Sequence, residues 1–129
     1  MRLLPSTLPP GPPRRAALFL DRDGVINEDV GYLHDPRDCT FCEGIFDLCG
    51  AYRRRGYLLL IATNQAGIAK GYYSQRDFAH LMEWMCRQLP IDAVYYCPHE
   101  KTQPTCECRK PAPGMLLQAA KEHQILDCM

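Results

Sequence analysis

Three short apolar runs set the terms for this chain. AALFL at residues 16–20, YLLLIA at 57–62 and DAVYY at 92–96 are too short for buried helices and apolar almost throughout, the pattern of strands covered on both faces. Between them lie two segments of helical length. Residues 44–55 are amphipathic, and 74–89 open on Ser74, a suitable helix cap, and set Phe78, Leu81, Met82 and Met85 on one stripe. A third amphipathic stretch starts near Pro113 and carries Met115, Leu116, Ala119 and Ala120. The order strand, helix, strand, helix, strand predicts an α/β fold. Its parallel sheet has helices on both faces, right-handed crossovers and a ligand site at the carboxyl ends of the strands.

Residues 1–15, MRLLPSTLPPGPPRR, hold five prolines and no periodic apolar pattern. They read as a flexible leader with polyproline character before one folded domain over 16–129. A length of 129 residues supports a single core. Fifteen basic and fifteen acidic residues cancel, which argues against nucleic acid or an anionic membrane as the partner. No apolar run approaches the roughly 20 residues of a membrane-spanning helix, and no secretory signal follows the amino terminus. The expectation is a soluble, cytoplasmic protein with a small-molecule partner. Its eight cysteines then serve as metal ligands or buried thiols rather than disulfides.

The polar residues gather at the predicted strand ends. The first strand runs into DRDG, where Arg22 separates Asp21 from Asp23. A polar turn closing a strand is one reading, since Asp and Gly favour turns. The other strand ends favour a second. TNQAG follows the second strand, with Thr63, Asn64 and a backbone-relaxing Gly67, and CRKPAPG brings Arg109 and Lys110 after the third. Two acids, a hydroxyl and a lysine suit phosphoryl transfer. One carboxylate attacks phosphorus, the other protonates the leaving oxygen and later deprotonates water, and Mg²⁺, the lysine and the hydroxyl offset the anionic charge.

Between these motifs, CPHEKTQPTCEC sets Cys97, His99, Cys106 and Cys108 within twelve residues. Three thiolates and an imidazole suit tetrahedral zinc; the single residue inside each pair is tighter than the usual two to four, and an incidental polar loop is the rival reading. Cys39 and Cys42 form a CxxC pair with no partner pair nearby. Cys49 and Cys86 fall on predicted helices as small core residues, and His34, His80 and His123 have no ligand context.

DRDGVIN, TNQAGIAKG and CRKPAPGM resemble the first three motifs of the haloacid dehalogenase superfamily, specifically its D-glycero-D-manno-heptose-1,7-bisphosphate 7-phosphatases. The resemblance runs from Ala16 to the last residue. It implies a Rossmann-like haloacid dehalogenase core and Mg²⁺-dependent hydrolysis of the 7-phosphate through an aspartyl phosphate, a step of carbohydrate metabolism tied to lipopolysaccharide biosynthesis. By resemblance Asp21 is nucleophile and Mg²⁺ ligand. Asp23 is the general acid and base and a Mg²⁺ ligand through its backbone carbonyl, Thr63 a phosphoryl donor, and Lys110 the charge that orients nucleophile and phosphate. Arg22, Asp29, Val30, Gly31, Tyr32, Asn64, Gln65, Ala66 and Arg109 are implied to contact the rest of the sugar phosphate. The loop at 97–108 is implied to hold a structural zinc through Cys97, His99, Cys106 and Cys108. Histidinol-phosphate phosphatases share fold, Mg²⁺ and zinc loop and stay open as an alternative, as does a non-catalytic zinc-stabilised module that binds phosphate or a partner chain.

The family carries a fourth motif, an acidic pair after a fourth strand, which supplies a further carboxylate to Mg²⁺. By the resemblance Asp127 lies on the connection before that strand, and the chain ends first. The sequence therefore predicts an incomplete domain with its carboxyl-terminal strands missing and its turnover impaired. It also predicts a monomer whose first strand has an exposed edge open to self-association.

Overall fold

In the computed structural model the described residues are 15–100, 106–123 and 125–128, with Arg15 and 125–128 described by backbone alone; the leader at 1–14 and positions 101–105 of the cysteine-rich loop lie outside them. The three expected strands form: β1 (Arg15–Leu20), β2 (Leu58–Asn64) and β3 (Ala93–Cys97). They pair in parallel, with Leu20 beside Ile61 and Asn64 beside Cys97. β1 starts one residue before the expected boundary.

Strand side chains alternate between two apolar layers. Leu59, Ile61, Val94 and Tyr96 enter one, and Leu58, Leu60, Ala62, Ala93, Tyr95 and Cys97 the other. Both faces are covered, which is why the runs are apolar without alternation. Helices α1 (Ile45–Arg54) and α3 (Gln75–Gln88), separated by the four-residue α2 (Ala66–Ala69), line the first layer through Ile45, Cys49, Phe78, Met82 and Met85. Helix α4 (Gly114–His123) closes the second through Met115 and Ala119. Leu116 on the same helix is exposed. Met115 and Ala119, four residues apart, already form the inward stripe, and the next position turns away from it.

Two local devices fix the helices. The Ser74 hydroxyl accepts the Asp77 N–H at 3.0 Å while the Asp77 carboxylate accepts the Ser74 N–H at 3.0 Å, a capping box that stops α3 from fraying backwards. Asp92, buried just before β3, accepts Arg53 Nη1 at 2.6 and 2.7 Å and the Leu59 N–H at 2.9 Å, tying α1 to both inner ends of β2 and β3.

A short strand β4 (Ile125–Cys128) lies parallel to β1 on its free side, giving the order β3-β2-β1-β4. This corrects two expectations. The fourth strand begins within the chain, with Asp127 in it opposite Ala16, rather than on a connection before it. The edge of β1 is therefore paired at Arg15, Ala16 and Ala17. The physical reason is the short return from α4, which ends at His123 and leaves no room for a long connection before Ile125 re-enters the sheet.

Candidate active site

Because β1, β2 and β3 are parallel and in register, their carboxyl ends open at one end of the sheet, as such folds require of a ligand crevice. A cleft of about 510 Å³ opens there. Of the residues expected at the site, Asp21, Asp23, Asp29, Gly31, Tyr32, Asn64, Gln65, Ala66, Arg109 and Lys110 line it; Lys70 and Tyr73 join them.

Asp21 follows β1 directly. Its Oδ1 accepts the Arg22 N–H at 2.8 Å and faces Lys110 Nζ at 3.2 Å, and no described residue donates to Oδ2. Lys110 is held from two sides. Its Nζ donates to the Ala62 carbonyl at 2.8 Å, its N–H donates to Asn64 Oδ1 at 2.9 Å, and its carbonyl accepts Asn64 Nδ2 at 3.2 Å. The end of β2 thus aims the lysine at Asp21. Both side chains are partly exposed, so the pair adds little to stability; what it does is hold positive charge beside a carboxylate.

Arg22 does not reach the cleft with its side chain, contrary to the expected substrate contact. It is fully buried, with Nε and Nη2 on the Asp23 carboxylate at 3.0 to 3.2 Å, Nη2 on the Leu33 carbonyl at 3.0 Å, and its guanidinium 5.8 Å from the Phe78 ring centre. A buried cation needs a paired anion and acceptors for its remaining N–H groups, and this inward turn supplies both. Its carbonyl also closes the turn, accepting the N–H groups of Val25, Ile26 and Asn27. Asp23 receives two further donors, Asn27 Nδ2 and Gln65 Nε2, each at 3.2 Å. Val30 stands outside the cleft, exposed, beside a shallower hollow with Leu33, His34 and Asp38. Thr63 is buried beneath the floor, where its Oγ1 accepts Gln65 Nε2 at 2.9 Å.

Sequence reasoning missed Lys70 and Tyr73. Nothing in the apolar pattern marks a helix as short as α2, so neither residue had an assigned face. Lys70 Nζ donates to the Tyr32 hydroxyl at 2.8 Å, and Tyr32 is positioned by left-handed backbone at Gly31 and at its own φ of 48°. The Tyr73 hydroxyl donates to Gln65 Oε1 in a short bond, its ring stacks on His34 at 5.3 Å, and burial pushes the phenol up to about 12, so it stays a donor. Gly67 makes the slot. A Cβ there would sit 2.3 Å from Tyr73 Cε1.

The cysteine-rich loop brings its four expected ligands together. The donor atoms of Cys97, His99, Cys106 and Cys108 all lie within 4.8 Å of one another. Individual separations run from 3.0 to 3.4 Å, near the roughly 3.8 Å edge of a tetrahedron with zinc–sulfur bonds of about 2.3 Å. The residues therefore fit a tetrahedral metal ion. Burial pushes the Cys97 thiol up to about 12; Cys106, against its own burial, is drawn down to about 6 by hydrogen bonds from Cys108, Cys97 and the Arg109 N–H. That N–H lies 3.3 Å from Cys106 Sγ, and Arg109 Nη1 donates to the His99 carbonyl at 3.3 Å, so the cluster fixes the segment that carries Arg109 and Lys110. At the cleft, the Asp21 carboxylate and the Asp23 carbonyl, which none of the turn's backbone bonds uses, are oxygens of the kind a hard cation takes. Cys49 is a buried core residue as expected, and Cys39 and Cys86 pack against the same layer. No helix of the described residues is long and apolar enough to cross a membrane.

Known proteins of two kinds resemble this chain. A family model described as polynucleotide kinase 3 phosphatase matches residues 26–127. The D-glycero-alpha-D-manno-heptose-1,7-bisphosphate 7-phosphatase of Campylobacter jejuni is 51% identical over 114 residues, which is 84% of this chain and 64% of that protein. The D-glycero-beta-D-manno-heptose-1,7-bisphosphate 7-phosphatase of Vibrio cholerae is 47% identical over 116 residues, 81% of this chain and 62% of that one. Among solved structures, a HAD-like phosphatase from Mesorhizobium loti superposes with a TM-score of 0.81 at 34% identity, covering 88% of this chain and 60% of the other. The D,D-heptose 1,7-bisphosphate phosphatase from B. bronchiseptica, solved with magnesium and phosphate, superposes with a TM-score of 0.77 at 28% identity, covering 86% and 64%. The chain spans less than two thirds of the length of each of these proteins. The fold is the Rossmann-like haloacid dehalogenase core that the motifs imply.

Proposed function

The chain belongs to the polynucleotide kinase 3 phosphatase family, and from that premise we propose that it is a phosphoric monoester hydrolase that removes the 7-phosphate of D-glycero-D-manno-heptose 1,7-bisphosphate. The observation that carries the reading is Asp21 at the end of β1, one carboxylate oxygen open to the cleft and the other 3.2 Å from Lys110 Nζ. Asp21 Oδ2 forms a bond to phosphorus as the bond to the ester oxygen breaks. Asp23 passes its proton to that leaving oxygen and becomes a carboxylate. It recovers a proton from the water that then splits the aspartyl phosphate, so that ester and water go to alcohol and phosphate with Asp21 restored.

Lys110 offsets the repulsion between an attacking carboxylate and an anionic phosphoryl group, and the Asp23 backbone N–H adds a donor. Asp29, Gly31, Tyr32, Asn64, Ala66 and Arg109 form the walls that take the sugar. Mg²⁺, held by the Asp21 carboxylate and the Asp23 carbonyl, would supply further positive charge beside the transferring group. A structural zinc at Cys97, His99, Cys106 and Cys108 would fill all four positions with protein and leave no open site for water. A cytoplasmic monomer acting on a small sugar phosphate is the setting of this reading.

The test is phosphate release with added Mg²⁺ from the heptose 1,7-bisphosphate, the heptose 7-phosphate and histidinol phosphate. The expected result is the highest kcat/KM on the bisphosphate, with Asp21→Asn at background. A preference for histidinol phosphate would change the substrate class, and no release from any ester would end the reading.

A further inference from the structure

We infer that Gln65, locked by Tyr73 and braced on Thr63, is a positioning residue that holds the proton-carrying oxygen of Asp23 in place for phosphoryl transfer. The inference rests on the reading of Asp23 as general acid and base.

The geometry allows one orientation of the amide. Asp23 as a carboxylate can only accept, so the side of Gln65 that meets Oδ2 at 3.2 Å is the NH₂ group. The same nitrogen donates to Thr63 Oγ1 at 2.9 Å, using its second hydrogen. Oε1 is left for a donor, and the Tyr73 hydroxyl is that donor. Turning the amide over would set its oxygen against a carboxylate and its nitrogen against the phenol. Gln65 and Tyr73 are both buried, so water does not compete for these bonds. Tyr73 in turn is fixed by the stack on His34 and by the gap at Gly67.

The two hydrogens of the amide nitrogen have separate consequences. Asp23 Oδ1 takes donors from Arg22 Nε, Arg22 Nη2 and Asn27 Nδ2, whereas Oδ2 takes Arg22 Nη2 and Gln65 Nε2. A transferable proton has room on Oδ2, the oxygen that Gln65 touches and steers. Through the second hydrogen of the same nitrogen, Thr63 accepts from Gln65 and therefore must point its own hydrogen elsewhere. Its nearest alternative acceptor, the Asn64 carbonyl, is 3.5 Å away, at the limit of a hydrogen bond. Thr63 is fully buried and does not line the cleft, so its hydroxyl serves as a fixed support for the Gln65 amide. One amide, braced by Thr63 and Tyr73, thus steadies the proton donor for the leaving group.

Tyr73→Phe removes the phenolic donor and keeps the ring. A mispositioned acid matters most where the leaving oxygen needs protonation, as in a sugar phosphate, and least where it departs as a stable anion, as in p-nitrophenyl phosphate. Values of kcat/KM report the steps up to the aspartyl phosphate for both esters. The expected result is a loss about 10-fold larger on the sugar phosphate than on the aryl ester, and the same pattern for Gln65→Met. Equal losses on the two esters would show a merely structural role and overturn the inference. A second measurement needs no turnover. In the unmutated protein the two side-chain amide protons of Gln65 should exchange with water at least about 10-fold more slowly than those of exposed Gln75, with the protection lost in Tyr73→Phe. Unprotected Gln65 protons in the parent would overturn the relay. If the parent hydrolyses neither ester, the phosphatase reading fails and the amide exchange alone decides whether the relay exists.

Discussion

Gly67→Ala sets two opposing effects against each other at one atom. An alanine in a short helix gains up to about 1 kcal/mol of backbone propensity over glycine, and the φ of Gly67 is not in the left-handed region, so the backbone raises no objection. The side chain does. The new Cβ would lie 2.3 Å from Tyr73 Cε1, 2.8 Å from Tyr73 Cζ and 2.9 Å from Tyr32 Cδ1. Ordinary carbon contacts are about 3.5 to 4.0 Å, so the Tyr73 ring must retreat by about 1 Å or more. Overpacking of this kind costs about 1 to 3 kcal/mol, and a retreat that breaks the buried bond to Gln65 adds about 1 kcal/mol. The clash wins, and the net destabilisation should be about 2 kcal/mol, a shift of about 1 M in the urea midpoint for a domain of this size. The control is the same substitution in a Tyr73→Ala background. There the ring is gone, the remaining contact is to a half-exposed Tyr32 that can swing away, and Gly67→Ala should be neutral or slightly stabilising. Urea unfolding of the four proteins gives the coupling directly. If Gly67→Ala costs the same with and without the Tyr73 ring, the slot argument is wrong.

Asp92→Ala should lower stability by about 3 kcal/mol, because it removes a buried charge-assisted bond and leaves the Leu59 N–H without an acceptor, while Asp92→Asn, which keeps an acceptor, should lose about 1 kcal/mol; equal losses by denaturant titration would contradict this. Lys110→Met should reduce kcat for phosphate release by about 100-fold or more with little change in melting temperature, since the ion pair with Asp21 is partly exposed and its charge acts on the transferring group. Elemental analysis of protein purified without chelator should find about one zinc per chain, and Cys106→Ser or chelation should release it and lower the melting temperature by several degrees; metal-free protein with unchanged melting would remove the metal from the fold.

How much of this was legible beforehand depends on whether a feature lies in the chain's own pattern or in packing between distant segments. The three inner strands could be read because burial on both faces leaves continuous apolar runs, and α3 because Ser74 caps a regular stripe of Phe78, Leu81, Met82 and Met85. The cluster of Cys97, His99, Cys106 and Cys108 could be read because its four donors are close in sequence as well as in space. β4 could not, since four residues carry too little period to set a strand apart from a tail. The direction of Arg22 could not either. In a turn there is no alternation to say which side chain faces inward, and its partners, the Leu33 carbonyl and the Phe78 ring, come from segments that only the fold brings near. Tyr73 was hidden for a related reason, because its place depends on a gap at Gly67 rather than on any apolar rhythm.

The inward turn of Arg22 divides the site into a part that can drift under mutation and a part that cannot. Asp23 is its sequence neighbour, so this charge can travel into the interior already matched, and the molecule never has to strand a lone cation in an apolar layer. Lysine would not serve in its place, because one ammonium cannot span the Asp23 carboxylate, the Leu33 carbonyl and the face of Phe78 together. The floor of the cleft is for that reason nearly closed to exchange. The rim is different: Asp29 and Tyr32 are exposed, and substitutions at such positions cost little in folding. A lineage carrying this domain can therefore vary the rim of the cleft while keeping the buried Arg22–Asp23 support beneath it almost unchanged.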